Sequence, residues 1–167
     1  MLYDQLNEMP FARKTVWISM ITFGTIALER IKLTPLHEFE AVDLQAGGIT
    51  SLGSAFDLLE KSIDRDVRVS LEAEKSDWLP LVYLFTDGDP TDDWEPSINR
   101  LKSRAKKTVG TIIMFACGDD IDENMLKRIS PHVVRMDKIN LDYLKNSLKW
   151  ISQPIKGANP NIGDEGI

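Results

Sequence analysis

A chain of 167 residues, 43% hydrophobic and 28% charged, has the composition of one globular domain that is large enough to bury a core. Its net charge of -6 argues against a nucleic-acid partner, because affinity for the phosphate backbone comes largely from clustered lysine and arginine. The apolar run at residues 16–23 is too short to span a bilayer and lacks a signal-peptide cleavage site. Cys117 is the only cysteine, so no internal disulfide is possible, and we expect a cytoplasmic protein without membrane association.

The first half of the chain predicts a β-hairpin and then a long helix. Residues 15–23 and 26–33 are rich in β-branched and aromatic side chains and are separated by a Gly-Thr pair, which is typical of a hairpin. Over residues 52–71, apolar positions recur every three or four residues, which predicts an amphipathic helix. Thr50 or Ser51 is the natural N-terminal cap of this helix.

The middle of the chain predicts a βαβ unit. Residues 81–85 are consecutive apolar residues bounded by Pro80 and an Asp-Gly turn, which indicates a buried parallel strand. A helix at about residues 95–107 and a strand at residues 109–117 follow. Strands that alternate with helices in this way indicate a parallel sheet.

The last part of the chain predicts three short elements and a tail. Asp122 is expected to cap a short helix that ends at Pro131, and residues 132–136 are expected to form an edge strand. A final amphipathic helix fits residues 141–151. Residues 153–167 are rich in proline and glycine and poor in apolar side chains, so we expect a flexible tail.

Together these elements predict an α/β fold with a doubly wound, mostly parallel sheet, helices on both faces and an antiparallel edge hairpin. In such a sheet, binding groups gather beyond the carboxyl ends of the strands, where Thr50 and Asp87 are both expected. Four aspartates fall within residues 87–93. A hard cation such as Mg2+ takes one or two carboxylates together with water and an oxygen from a partner. The alternative is a polar turn, since Asp, Gly and Pro are ordinary turn residues.

Three segments in combination resemble a von Willebrand factor A domain. They are residues 21–24 in the hairpin, 47–53 at the start of the long helix, and 84–88 at the end of the Asp-rich strand. The chain is most similar to the bacterial tellurite-resistance-associated proteins of the TerY type. Those proteins combine a Trp-x-Pro-Leu-Val strand entry, here residues 78–82, with a Thr-Asp-Gly-x-Pro-Thr-Asp-x-Trp run, here residues 86–94. The resemblance covers roughly residues 10 to 150.

The resemblance implies a metal-ion-dependent adhesion site, in which three loops hold Mg2+, or Mn2+ or Ca2+, and a protein partner completes the shell with an acidic side chain. Thr50 matches the threonine of the second loop, and Asp87 matches the aspartate of the third. The residues expected at the rim or in partner contact are Gly48, Ser51, Gly88, Asp89, Thr91, Asp92 and Asp119.

The sequence departs from the family at the first loop. The Asp-x-Ser-x-Ser motif that follows the family's central first strand has no counterpart here. We therefore expect residues 1–152 to be an N-terminally incomplete domain with weak or absent metal binding, followed by the tail at residues 153–167. The strand edges left unpaired would permit self-association.

The resemblance implies a non-enzymatic protein-binding module in a bacterial stress or tellurium-resistance system. An enzymatic alternative starts from Asp87-x-Asp89-x-Thr91, which follows an apolar strand as the nucleophile loop of haloacid-dehalogenase-like phosphatases does. In those enzymes one carboxylate attacks phosphorus and the second acts as acid and base. Asp119 and Asp120 would then imitate their magnesium-binding aspartates. A third interpretation makes the aspartates a solvated turn on a structural subunit.

Overall fold

The computed structural model of the chain describes residues 10–40, 42–44, 47–68, 79–104, 109–118 and 121–136. The chain divides into two compact units: a smaller one with residues 1–18, 34–39 and 139–167, and a larger one with residues 19–33 and 40–138. The helix expected at residues 141–151 and the tail lie outside the described residues. Within the described residues, no helix is both long and apolar enough to cross a membrane.

The described part of the smaller unit is built around a short helix, α1 (Pro10–Thr15), and a 3-10 turn (Leu36–Glu38). Ala12 of the helix and Leu36 of the turn are both fully buried. The N–H of Leu36 donates a hydrogen bond to the carbonyl oxygen of Val16 at 2.9 Å. This contact fixes the turn beside the end of the helix.

The predicted hairpin is confirmed. Strands β1 (Trp17–Phe23) and β2 (Ala27–Pro35) form a two-stranded sheet, and their short connection makes them antiparallel. The hairpin was predicted as an edge of the main sheet, but in the described residues it forms a sheet of its own. From residue 19 to residue 33 the hairpin belongs to the larger unit.

The main sheet of the larger unit has three parallel strands. They are β3 (Leu81–Thr86), β4 (Thr111–Cys117) and β5 (His132–Met136), in the order β3-β4-β5. A helix connects each strand to the next, which confirms the predicted βαβ pattern and an α/β fold. Residues 132–136 form the expected strand, which lies at an edge of this sheet as far as the described residues show.

Three helices accompany these strands: α2 (Leu52–Asp66), α3 (Glu95–Lys102) and α4 (Glu123–Ile129). The prediction carried α2 to residue 71, but the helix ends at Asp66 because Val67 has an extended backbone, with φ -105 and ψ 118. Helix α3 likewise ends earlier than predicted, at Lys102. Helix α4 begins as predicted, since the Asp122 carboxylate accepts the N–H of Asn124 at 2.8 Å.

The three helices bury their apolar residues with one face of β3 and β4. Apolar spacing predicted which helix residues point inward, and the core confirms this at the described positions, whereas the predicted Leu71 and Ala105 lie outside the described residues. Its buried members are Leu52, Phe56, Ile63, Leu84, Trp94, Ile98, Leu101, Ile112, Met114, Ala116, Ile121, Leu126 and Ile129.

The prediction that β3 is a buried strand is wrong in part. Leu84 and Thr86 are buried, but Leu81 is 38% exposed and Phe85 is 43% exposed. The physical reason is the position of the strand. Within the described residues, β3 pairs only with β4, so no strand covers its other side.

Candidate functional site

The Asp-Gly turn at the end of β3 is held by the strand's last residue. The hydroxyl of Thr86, which is buried, donates to the carbonyl oxygen of Gly88 at 2.8 Å. The N–H of Gly88 approaches the same hydroxyl at 3.4 Å. A side chain that bonds the backbone two residues further on stabilises a tight turn. Asp87 lies at the tip of this turn and is exposed.

The loop before α2 lies against the loop after β3. The carbonyl oxygen of Thr50 accepts the N–H of Thr91 at 2.9 Å. A Cβ atom placed on Gly88 would come within 3.3 Å of the Thr50 hydroxyl oxygen. The structure therefore brings together Thr50, Gly88 and Thr91, which the sequence places in two distant loops.

The glycine loop before α2 contacts the turn of the hairpin. Gly48 has φ +89, and a Cβ atom there would come within 2.8 Å of the Thr25 hydroxyl oxygen, so this position favours glycine for both its conformation and its space. Ser51 stands at the N-cap position of α2, but its hydroxyl donates to the carbonyl oxygen of Thr25 at 3.1 Å instead of capping the helix. The expectation that Thr50 or Ser51 caps α2 through its side chain is therefore not met.

Asp92 takes the capping role. Its two carboxylate oxygens accept the N–H groups of Gly53 at 2.9 Å and Ser54 at 3.0 Å, both in the first turn of α2. These N–H groups have no partner within the helix, and a carboxylate there also interacts favourably with the helix dipole. Asp92 thus ties the Asp-rich loop to α2, a role that differs from the expected partner contact.

Asp89 is also held by the backbone. Its carboxylate accepts the N–H of Asp122 at 3.2 Å, which joins the loop after β3 to the start of α4. Asp119, the remaining expected rim residue, lies outside the described residues. Among the described residues, no hydrogen bond or ion pair engages the side chain of Asp87.

The charge of Asp87, which follows β3, acts on Cys117 at the end of the neighbouring strand β4. Burial raises the pKa of the Cys117 thiol above its ordinary value, and the negative charge of Asp87 raises it further. The thiol therefore stays protonated at neutral pH, and it lies within 4.0 Å of the Met136 sulfur. A protonated, half-buried thiol is a poor nucleophile.

The described residues do not fit a magnesium site on their own. They contain no group of three or more His, Cys, Asp or Glu side chains that could hold a metal ion. Asp87 and Thr50 offer one carboxylate and one hydroxyl, whereas Asp89 and Asp92 already accept backbone N–H groups. A magnesium ion held by Asp87 and Thr50 would need water or a partner's oxygen atoms to complete its shell.

Comparisons with known proteins support the fold. No family model matches the chain, and no curated protein matches it. The solved structures to which the chain is similar include two of proximal thread matrix protein 1 from the mussel byssus, in two crystal forms. The first has a TM-score of 0.67 and 16% identity, and the match covers 90% of this chain and 39% of that chain. The second has a TM-score of 0.62 and 16% identity, with coverage of 92% and 38%.

At this level of identity the likeness shows a shared α/β fold and carries no function with it. The chain spans less than half the length of the protein that it matches. The fold and the site thus define the chain as an α/β domain. The loop before α2 and the loop after β3 meet at the carboxyl end of β3.

Sequence reasoning missed the three hydrogen bonds that join these loops: the two of the Asp92 cap and the one from Ser51 to Thr25. Each joins residues that lie far apart in the chain, by 39 positions for Gly53 and Asp92 and by 26 for Ser51 and Thr25. A cap is normally recognised by a side chain next to the helix start. No local pattern marks a cap that comes from another loop.

Proposed function

We propose that this chain is a non-enzymatic protein-binding module that contacts its partner through Thr50 and residues 87–91. The observation that carries the proposal is the state of Asp87: it is exposed, and no other described residue engages its carboxylate, while hydrogen bonds fix the loop around it. A charged group held on a rigid loop beyond a strand end is well placed to bind another protein.

The side chains of Asp87 and Thr50 determine which chemical groups a partner must present. Asp87 supplies a carboxylate, and the Thr50 hydroxyl lies close to the adjacent Gly88. A direct contact requires an ammonium, guanidinium or N–H donor on the partner. In the bridge implied by the resemblance, Mg2+ would join Asp87 to an acidic side chain of the partner, and water would fill the positions that Asp87 and Thr50 leave open. The cytoplasmic location and the tellurium-resistance setting stay predictions.

The hydrogen bonds of the loop favour this module over the phosphatase alternative. In the Asp-x-Asp-x-Thr interpretation, Asp89 transfers a proton during the reaction. Here its carboxylate accepts the N–H of Asp122, and the neighbouring Thr91 donates its own N–H to Thr50. The Asp89 carboxylate thus has a structural partner that accounts for it without catalysis.

Site-directed photocrosslinking tests partner binding. A photoreactive residue replaces the exposed Thr91 in three backgrounds: the unchanged chain, Asp87→Ala and Asp93→Ala. We expect a protein adduct from the unchanged chain and from Asp93→Ala, and its loss from Asp87→Ala, because Asp87 supplies the charged group of the proposed contact and Asp93 lies outside that contact. Equal thermal unfolding of the three proteins is the control. An adduct that persists in Asp87→Ala would contradict the proposal.

Two further measurements separate the alternatives. A phosphatase using Asp87 as nucleophile would hydrolyse an aryl phosphate in Mg2+ and lose that activity in Asp87→Asn, since an amide cannot attack phosphorus. We expect no turnover from either protein, and mutation-sensitive hydrolysis would overturn the proposal. Titration calorimetry with Mg2+ and Mn2+ is expected to show weak binding that Asp87→Ala abolishes.

A further inference from the structure

An open pocket of about 310 Å³ lies between the turn of the hairpin and helix α2, within the larger unit. The helix residues that line it recur at three- and four-residue spacing, so they belong to one face of the helix and form one wall. Ligand pockets occupy about 300 to 1,000 Å³, so this volume suits a small ligand. The lining consists of Ile26, Ala27, Ser54, Asp57, Leu58 and Lys61.

The apolar part of the lining is open to water. Ile26 is 62% exposed, although its side chain is large and aliphatic. Ala27 and Leu58, which line the same pocket, are half-buried. Removing apolar surface from water is favourable by about 25 cal/mol per Å², so an aliphatic group that covers Ile26 gains free energy. The pocket therefore favours a ligand with an aliphatic part.

The two charged residues of the lining differ in their partners. Asp57 lies four residues before Lys61, a spacing at which ion pairs are common on a helix. The Asp57 carboxylate instead contacts the guanidinium of Arg100, which offsets its negative charge. Glu60, next to Lys61 in the chain, also pairs with Arg100, at 2.9 Å. The Lys61 ammonium has no ion pair or hydrogen bond with any residue that the structure describes. The charge left uncompensated in this lining is thus positive, which favours an anionic ligand.

The helix wall sets the length of the ligand. Ser54 lies seven residues before Lys61, which places it about 10 Å away along the helix axis. Its hydroxyl is exposed and has no hydrogen-bond partner in the described part of the chain. The apolar Leu58 lies between the two on the same wall. A ligand whose charge contacts Lys61 therefore has room for a short aliphatic chain before it reaches the Ser54 hydroxyl.

We propose that this pocket binds a short aliphatic carboxylate, with its carboxylate group on the Lys61 ammonium and its chain against Ile26 and Leu58. The charge-assisted contact fixes the orientation, and the aliphatic contact selects against small hydrophilic anions. The carboxylate belongs either to a free small molecule or to an acidic side chain of a polypeptide, since both present the same group. No residue of the pocket takes part in the contact proposed for Thr50 and residues 87–91.

Hexanoate is the probe, and two matched controls each lack one of its features. The first control, 1-hexanol, keeps the chain and lacks the charge, and the second, acetate, keeps the charge and lacks the chain. Amide NMR shifts of the labelled protein report where each compound binds. We expect saturable shifts by hexanoate at Ile26 and Lys61, an affinity for 1-hexanol that is about two- to fivefold lower, as for an exposed ion pair, and no binding of acetate.

Four protein variants locate the binding. Lys61→Gln should lower the hexanoate affinity about two- to fivefold and leave the 1-hexanol affinity unchanged. Ile26→Ser should weaken the binding of both compounds. Arg30→Gln is the control, because Arg30 is an exposed cation of β2 outside the lining, and it should change neither affinity. Asp87→Ala should also change neither, which separates this proposal from the proposed function. Ile26 and Lys61 are both exposed, so their variants are expected to fold.

Three results would contradict this assignment: no saturable binding of hexanoate, equal affinities for hexanoate and 1-hexanol, or a hexanoate affinity that Lys61→Gln leaves unchanged. A capped leucine-glutamate dipeptide distinguishes the two sources of the carboxylate. Tighter binding of the dipeptide than of hexanoate assigns the ligand to a polypeptide, and tighter binding of hexanoate assigns it to a free small molecule.

Discussion

Strands β3 and β4 are parallel neighbours with similar apolar sequences, yet they differ in burial. Five consecutive residues of β4, Ile112 to Ala116, are buried, whereas in β3 only Leu84 and Thr86 are. Strand β4 has a strand on each side, and β3 has one on a single side within the described residues. The difference teaches that neighbours in the sheet decide burial, and that an apolar sequence alone does not.

The largest expected effect is on the free energy of unfolding, and it distinguishes the two stacked phenylalanines, Phe115 and Phe85. Phe115→Ala removes a ring that is 1% exposed and should lower the free energy of unfolding by about 3 to 5 kcal/mol. Phe85→Ala removes a ring that is 43% exposed and should cost less than about 2 kcal/mol, because much of its surface already contacts water. Denaturant unfolding of both variants measures the difference. Equal costs would mean that β3 is as well covered as β4.

The second comparison is between aspartates of one loop. Asp92→Ala leaves the Gly53 and Ser54 N–H groups without their carboxylate and should cost about 1 to 2 kcal/mol, as expected for a lost helix cap. Asp93 is the control, since it is adjacent and exposed, and Asp93→Ala should change stability by less than about 0.5 kcal/mol. Chemical denaturation of the two variants checks this. A similar loss in both would show that the loop's charge matters and the cap does not.

The order and type of the five described strands and of helices α2, α3 and α4 were predictable because each depends on local periodicity, whereas α1 and the 3-10 turn were not predicted. Helix α2 follows from apolar spacing, and β4 from a continuous apolar run. What failed depends on distant residues: the burial of β3 is set by the strands beside it, and the cap of α2 comes from Asp92 in another loop. At the site, the meeting of Thr50 and Gly88 followed from strand-end geometry, but nothing local separates the engaged Asp89 and Asp92 from Asp87.

A third comparison is between the two attachments of α2. It packs on the main sheet through apolar side chains, and it contacts Glu29 of the hairpin through polar ones. The guanidinium of Arg65 contacts both carboxylate oxygens of Glu29 on β2, at 2.7 and 3.0 Å, and the Ser62 hydroxyl donates to Glu29 at 2.9 Å. The hydrogen bond from Arg65, assisted by Ser62, lowers the pKa of Glu29. Because the folded-state pKa is lowered, this stabilisation is present above the ordinary glutamate pKa of about 4.3 and is lost as the pH falls through the folded-state value.

Thermal unfolding as a function of pH tests the attachment. Glu29→Gln should lower Tm by at most a few degrees near neutral pH, and its difference from the unchanged chain should disappear in acid. High salt should reduce the effect, because Arg65 is partly exposed. Glu40→Gln, at an exposed position, is the matched control. A difference that grows as the pH falls would contradict the assigned role of Glu29.

The smallest expected effect tests the geometry where β3 and β4 end. Asp87 follows β3, Cys117 ends β4, and the carboxylate charge adds to burial in raising the pKa of the thiol. Removing that charge in Asp87→Asn should lower the pKa of Cys117, increase the thiolate fraction and speed alkylation at mildly alkaline pH. Since burial is the larger cause of the raised pKa, the increase in rate should be small. Cys117 is the only thiol, so the pH dependence of iodoacetamide labelling reports on it alone. Asp93→Asn should leave the profile unchanged, and an equally unchanged profile for Asp87→Asn would show that the ends of the two strands lie too far apart to share a site.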